Sequence, residues 1–299
     1  MSRLVIAGQG AIGSIVAAHC ELQHIPYAVS TRLGKTQQVD YLHHATGQQL
    51  AFTPPTLTTF KPSDILLLPL KAYQIIPCLD ALTLPASVPL ILLHNGMGTL
   101  EQVQQRYPNH PVIAGITSYA AFRQQNGQVN ETGQGTTQLG WIANPQAEIQ
   151  TTVQQRFDSL LGPCQWQHNI QLALWHKLAI NAAINPLTAI HSIPNGALQQ
   201  ATFAPTISAI CAEIAAVMGK LGLPQTADKL QQQVYAVINA SAQNFSSMNR
   251  DIAAGRPSEI DYINGYIIRQ ATQLGIEVPV IKQLMTQLLE IQNNHIPGH

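Results

Sequence analysis

The chain has 299 residues, enough for two domains that each bury a core without disulfide or metal support. Charged residues are only 10% of the chain, against about a quarter ordinarily, and 15 Lys and Arg balance 15 Asp and Glu. That neutrality excludes the broad field by which a protein holds nucleic acid or an anionic membrane, and it favours a small-molecule function.

Cys20, Cys78, Cys164 and Cys211 lie far apart, with no Cys-x-x-Cys pair for zinc or redox chemistry, so free thiols in a reducing compartment are expected. Met1-Ser2-Arg3 runs straight into a short apolar segment without a long signal-type core. No run is read as reaching the roughly 20 apolar residues of a membrane span. These features predict a soluble, cytoplasmic protein with no nucleic-acid or membrane partner.

In chain order, apolar runs at Leu4 to Ala7, Tyr27 to Ser30, Ile65 to Leu70, Leu90 to Leu93 and Val112 to Ile116 alternate with amphipathic stretches. This is the rhythm of strand and crossover helix in a parallel sheet, and strands so continuously apolar are buried on both faces. From Gly127 to Gly140 a Gly- and Thr-rich alternation predicts antiparallel strands, as a hairpin at the sheet edge. Gly162-Pro163 ends a helix before a last short strand, Cys164 to Gln167.

Beyond about Asn169 the spacing turns helical. Helices are predicted over Gln171–Asn185, Thr206–Leu221, Ala227–Asn239, Ser247–Ala254, Glu259–Leu274 and Val280–Ile291, before a polar tail from Gln292 to His299. Pro186, Gly222-Leu223-Pro224 and Gly255-Arg256-Pro257 supply the breaks. The expected organisation is an α/β dinucleotide-binding domain over residues 1–168 and an all-α domain over 169–299.

Gly8-Gln9-Gly10-Ala11-Ile12-Gly13 follows the first strand and opens an amphipathic segment. In that context glycines permit a tight turn and close backbone approach, and the helix N-terminus faces a pyrophosphate. A structural glycine turn is the alternative. No acidic residue ends the second strand, where NAD-specific folds hold the ribose 2′-hydroxyl; Thr31, Arg32 and Lys35 stand there instead. Two cations suit a 2′-phosphate and favour NADP, unless Arg32 is a solvated loop charge. Lys71 and Asn95 likewise end buried runs, where open α/β sheets bind ligands.

Lys177, Asn181 and Asn185 recur every four positions in an otherwise apolar helix and so form one polar stripe. Without partners such a stripe would cost several kcal/mol to bury, so it faces either a cleft or an inter-helix polar network. Ser258, three residues before Asp261, reads as a capping box that puts Glu259 in a first helical turn, where a carboxylate also complements the helix dipole. No H-E-x-x-H or comparable spacing points to a metal.

The glycine motif, Leu70-Lys71-Ala72, His94-Asn95-Gly96-Met97-Gly98, Lys177-Leu178-Ala179-Ile180-Asn181-x-x-x-Asn185-Pro186-Leu187-Thr188-Ala189, Pro194-Asn195-Gly196 and Ser258-Glu259-Ile260-Asp261-Tyr262-Ile263-Asn264-Gly265 together resemble the ketopantoate reductase family, collinearly along nearly the whole chain. The resemblance implies an N-terminal Rossmann-type domain, a helical C-terminal domain of the 6-phosphogluconate dehydrogenase C-terminal-like kind, and an active site in the cleft between them. It implies NADPH-dependent reduction of 2-dehydropantoate to (R)-pantoate, a step toward pantothenate and coenzyme A, by a monomer or homodimer. Lys177 then corresponds to the proton donor, and Asn95, Lys177, Asn181, Asn185, Asn195, Asn244 and Ser247 to substrate-binding residues. Gly8, Gln9, Gly10, Ala11, Ile12, Gly13, Arg32, Lys71, Asn95, Ala121 and Glu259 correspond to cofactor contacts, with Glu259 also catalytic. A same-family reductase of another 2-oxo acid and a non-catalytic NADPH sensor are the alternatives.

Overall fold

The structure is a computed structural model and describes residues 2–124, 127–223 and 225–295. Pro224, one of the expected breaks, and residues 296–299 of the polar tail lie outside the described residues. The chain divides into two compact units: one reaches to His94 and resumes over Thr99–Ile170, and the other comprises Asn95–Gly98 and the chain from Gln171 onward.

The first unit runs β1 (Leu4–Ala7), α1 (Ala11–Leu22), β2 (Tyr27–Ser30), β3 (Val39–Leu42), β4 (Gln49–Phe52), β5 (Ile65–Leu68), α2 (Ala72–Asp80), β6 (Leu90–Leu92), α3 (Thr99–Arg106), β7 (Val112–Thr117), β8 (Ala120–Arg123), β9 (Val129–Gly133), β10 (Thr137–Ala143), α4 (Ala147–Leu161) and β11 (Cys164–Trp166). Seven strands form one sheet in the order β11-β10-β7-β6-β5-β1-β2. The five apolar runs are its parallel centre, β7 to β2, and β10 enters antiparallel to β7. Leu4, Ile6, Ile65, Leu67, Ile91 and Ile113 pack with Ile15 and Val16 of α1 and Phe157 and Leu160 of α4, while the alternate residues Val5, Leu66 and Leu68 are buried as well. Each such side chain contributes roughly 1.5–3 kcal/mol of transfer free energy.

The expected edge hairpin is not formed. β9 and β10 part into different sheets: β10 joins the large sheet, while β9 pairs with β8 in a second sheet of order β4-β3-β9-β8. Alternation fixed their strand character, but the partner of each was set by distant segments, with β3 parallel to β9.

The second unit contains α5 (Ile170–His191), α6 (Ala204–Lys220), α7 (Ala227–Ala240), α8 (Ser247–Ala253), a π-helical turn (Asp261–Gly265), α9 (Tyr266–Leu274) and α10 (Pro279–His295). Pro186 does not break α5, which runs through it. A mid-helix proline costs about 3 kcal/mol, but Ala182, Ala183, Ile184 and Leu187 around it are buried, and that packing outweighs the lost hydrogen bond. Glycines do end other segments: Gly222, Gly255 and Gly275 all take positive φ.

The reading that no segment is long and apolar enough for a membrane also needs correction. Ala201–Lys220 meets that test by length and composition. Ile207, Ile210, Cys211, Ile214, Val217 and Met218 of this stretch are buried at helical spacing, as in a core helix. All four cysteines are free thiols, and burial pushes Cys20 and Cys164 up to about 12 and Cys78 and Cys211 up to about 11.

Candidate active site

The glycine-rich turn links β1 to α1 in the first unit. Gly8 has φ +82°, a left-handed conformation that L side chains rarely adopt, and its N–H donates to the Ser30 carbonyl at 2.7 Å. A Cβ on Gly13 would lie 2.8 Å from the Gly8 carbonyl oxygen, so α1 can approach the turn only without a side chain there. Gly10 differs, because a Cβ on it would meet nothing within 4 Å. Protein packing therefore does not require that glycine, whereas a ligand lying on the turn would. Ala11 and Ile12 open α1, which has neither a side-chain cap nor an acidic residue in its first turn, leaving its first N–H groups and positive dipole for an anion. Gln9 clamps the turn to the loop beyond β2: its Nε2 donates to the Gln37 carbonyl at 2.8 Å, and the Gln37 N–H donates to its Oε1 at 2.9 Å.

That loop begins with a turn in which the Gly34 N–H donates to the Thr31 carbonyl, and Arg32 is exposed on it. Lys71 sits at the N-terminus of α2, where its backbone N–H donates to Gln74 Oε1 at 3.2 Å. The glycine turn, Arg32 and Lys71 thus follow the carboxyl ends of β1, β2 and β5, three adjacent parallel strands, as the ligand edge of an open α/β sheet requires. Ala121 is half-buried on β8, opposite Glu131 of β9.

In the helical unit, Lys177, Asn181 and Asn185 do form one stripe along α5, with Asn185 buried. Glu259 is 3% exposed, and Asn95 Nδ2 donates to its Oε2 at 3.4 Å. The Lys177 ammonium is lowered to about 8 by burial, with the Glu259 charge opposing that shift. Lys177, Glu259 and Asn95 are therefore brought together from three distant segments. The 95–98 loop is anchored by the Met97 N–H, which donates to the Tyr262 carbonyl at 2.8 Å, and a Cβ on Gly96 would fall 2.5 Å from that same oxygen.

Ser258 does not cap its helix. Its N–H and hydroxyl both donate to Gln292 Oε1, and the Glu259 carbonyl accepts the first helical bonds, from Tyr262 and Ile263. The Ser258 side chain is held instead by the distant Gln292.

Asn195 and Asn244 form a second group, in which the Asn195 N–H donates to the Asn244 carbonyl at 2.9 Å and Asn195 Nδ2 donates to Ser241 Oγ at 2.9 Å. Asn195 Oδ1 is buried without a partner among the described residues. Ser247 is exposed in the first turn of α8. Sequence reasoning missed what holds this group. Ser246 caps α8 by accepting from the Asn249 N–H and also accepts from the Thr188 hydroxyl, while Asn249 Nδ2 donates to the Thr188 carbonyl. A serine just ahead of the predicted helix start was the available signal.

Also missed was a cluster in the first unit. His19, His43 and Glu131 bring ligand-type atoms within 4.8 Å of one another, although no linear spacing pointed to a metal. His19 Nδ1 faces the Leu160 carbonyl, its Nε2 faces the Tyr41 hydroxyl at 3.0 Å, and that hydroxyl donates to Glu131. The His43 Nδ1 accepts from the Ala45 and Thr46 N–H groups. His19, Tyr41 and Glu131 Oε2 form a hydrogen-bond chain, Glu131 Oε1 is buried without a partner among the described residues, and His43, accepting at Nδ1, lacks the Nδ1–H donor that metal-bound histidines usually present to a second partner.

A parallel sheet with a glycine-rich turn at its ligand edge, followed by an all-helical unit, defines the Rossmann-type nucleotide-binding class of two-domain proteins. Family models narrow this: residues 4–144 match ketopantoate reductase PanE/ApbA, and residues 169–292 match the ketopantoate reductase PanE/ApbA C-terminal region. The chain belongs to the ketopantoate reductase family. It is 37% identical over 293 residues to the 2-dehydropantoate 2-reductase of Vibrio cholerae serotype O1, covering 97% of this chain and 98% of that protein. D-mandelate dehydrogenase, solved with NADH and anilino(oxo)acetate, shares the fold with a TM-score of 0.86 at 20% identity, covering 98% of this chain and 99% of that one. So does the dimeric ketopantoate reductase of Staphylococcus aureus, at a TM-score of 0.80 and 21% identity, covering 98% and 99%.

Proposed function

We propose that this protein is a cytoplasmic 2-dehydropantoate 2-reductase that uses NADPH to reduce the C2 carbonyl of ketopantoate to (R)-pantoate. The observation that carries this reading is the meeting of Lys177, Glu259 and Asn95 in a chain 37% identical to such an enzyme along 97% of its length. Bound NADPH supplies the hydride. Residues 1–168 hold it: the turn from Gly8 to Gly13 and the α1 N-terminus take the pyrophosphate, Arg32 the 2′-phosphate, and Lys71 and Ala121 further contacts. Residues 169–299 carry the substrate side.

As the carbonyl carbon is reduced, negative charge grows on its oxygen, and the Lys177 ammonium stabilises and then protonates that oxygen. An ammonium lowered to about 8 is still mostly protonated at neutral pH and gives up its proton more readily than an ordinary lysine. Glu259 favours its charged form and accepts from Asn95 Nδ2, which holds that amide in place. Asn181, Asn185, Asn195, Asn244 and Ser247 offer neutral donors and acceptors for the carboxylate and distal hydroxyl of the substrate.

The test is NADPH oxidation by purified protein with ketopantoate, pyruvate and 2-oxoisovalerate, repeated with NADH. Preference for ketopantoate with NADPH is expected. Turnover only of another oxo acid would move the substrate, and NADPH binding without turnover of any would leave a sensor. Lys177→Ala should lower kcat by about 10²–10⁴ with NADPH affinity retained, and unchanged turnover would remove Lys177 from the mechanism.

A further inference from the structure

Arg123 ends β8, 114 residues along the chain from Gln9, yet its Nη1 donates to the Gln9 carbonyl at 3.2 Å. Its Nε donates to the Gly127 carbonyl, also at 3.2 Å. Both acceptors are neutral, and no carboxylate pairs with this arginine among the described residues. The side chain is exposed. An arginine has five N–H donors in a rigid fork, and two anchored donors fix its plane while leaving others free to bind.

The anchor point is informative. Gln9 lies between Gly8 and Gly10, and the space a Gly10 Cβ would occupy is open. At the neighbouring start of α1 no acidic residue competes for a cation. A held cation, free helix N–H groups and open space over one backbone turn are the components of a site for a doubly negative pyrophosphate.

We propose that Arg123 binds the pyrophosphate of the nicotinamide dinucleotide, closing over the glycine-rich turn from the side of the second sheet. This rests on the cofactor reading above and adds a residue to it. The role differs from that of Arg32, because the pyrophosphate is common to NADPH and NADH and the 2′-phosphate is not.

Affinities of both nucleotides, read from nicotinamide fluorescence, should separate the two arginines in the full-length protein. Arg123→Ala is expected to weaken NADPH and NADH alike, by about tenfold, with Arg123→Lys in between. Arg32→Ala should weaken NADPH alone. Unchanged affinities in Arg123→Ala would overturn the proposal, as would a loss confined to NADPH. An equal loss in the Ala and Lys variants, together with a lowered unfolding midpoint of the unliganded protein, would also overturn it by making Arg123 a prop for the turn. Wild-type protein that bound neither nucleotide would sink the dinucleotide reading itself, and the Arg123 role with it.

Discussion

Replacing Glu259 by Gln tests the proposed proton donor most directly. In the wild type, burial lowers the Lys177 ammonium and the Glu259 carboxylate opposes that shift, leaving it at about 8. An opposite charge this close is worth about one to three pKa units, so Glu259→Gln should move Lys177 from about 8 to about 6. The donor is active when protonated, so kcat/KM for reduction is full below the Lys177 pKa and is lost as pH rises through it. At pH 7 the protonated fraction falls from about nine-tenths to about one-tenth, a roughly tenfold loss, whereas near pH 5 the two proteins should converge. The assay is kcat/KM for ketopantoate between about pH 5 and 9, followed by the loss of NADPH absorbance. An alkaline limb at the same pH in both proteins would refute the coupling. A wild-type rate that climbed through pH 8 would refute Lys177 as the acid. Stability runs the other way: the cost of the buried ammonium weighs on the fold below about pH 8 and disappears as pH rises from there toward 10.5.

Other perturbations separate the cofactor loops from the scaffold. Arg32→Ala should cost about tenfold in KM for NADPH with KM for NADH unchanged, and equal losses for both would remove the 2′-phosphate assignment. Gly10→Ala should leave thermal stability intact and weaken NADPH binding, because its Cβ meets no protein atom. Gly13→Ala should lower the unfolding midpoint as well, since its Cβ falls 2.8 Å from the Gly8 carbonyl. Matching melting curves for these two alanine variants would show that the turn is looser than described.

Much of the architecture was legible because it is written in local patterns. Short continuous apolar runs such as Ile65 to Leu68, alternating with amphipathic stretches, read as buried strands of a parallel sheet, and the four-residue recurrence of Lys177, Asn181 and Asn185 survives directly as a helix face. The second sheet was not legible in full. β3 and β4 are half-exposed four-residue strands, and Val39-Asp40-Tyr41-Leu42 has too little apolar continuity to stand out. Pairings set by distant segments were equally hidden, as with β9 and β10, the Ser258 hydroxyl on Gln292, and Arg123 on Gln9. At the candidate site the residues could be nominated from motifs, but the Asn95–Glu259 bond joins positions 164 residues apart and needed the fold.

The thiols described above have a use of their own. Cys20 and Cys164 sit in the α/β unit and Cys211 in the helical unit, all buried and held in the protonated, unreactive form by surroundings that disfavour a thiolate. Alkylating reagents can reach them only when the chain around them opens. The rate at which each becomes labelled is thus a clock for the opening of its own unit, read residue by residue in a mass spectrometer without introducing a single probe.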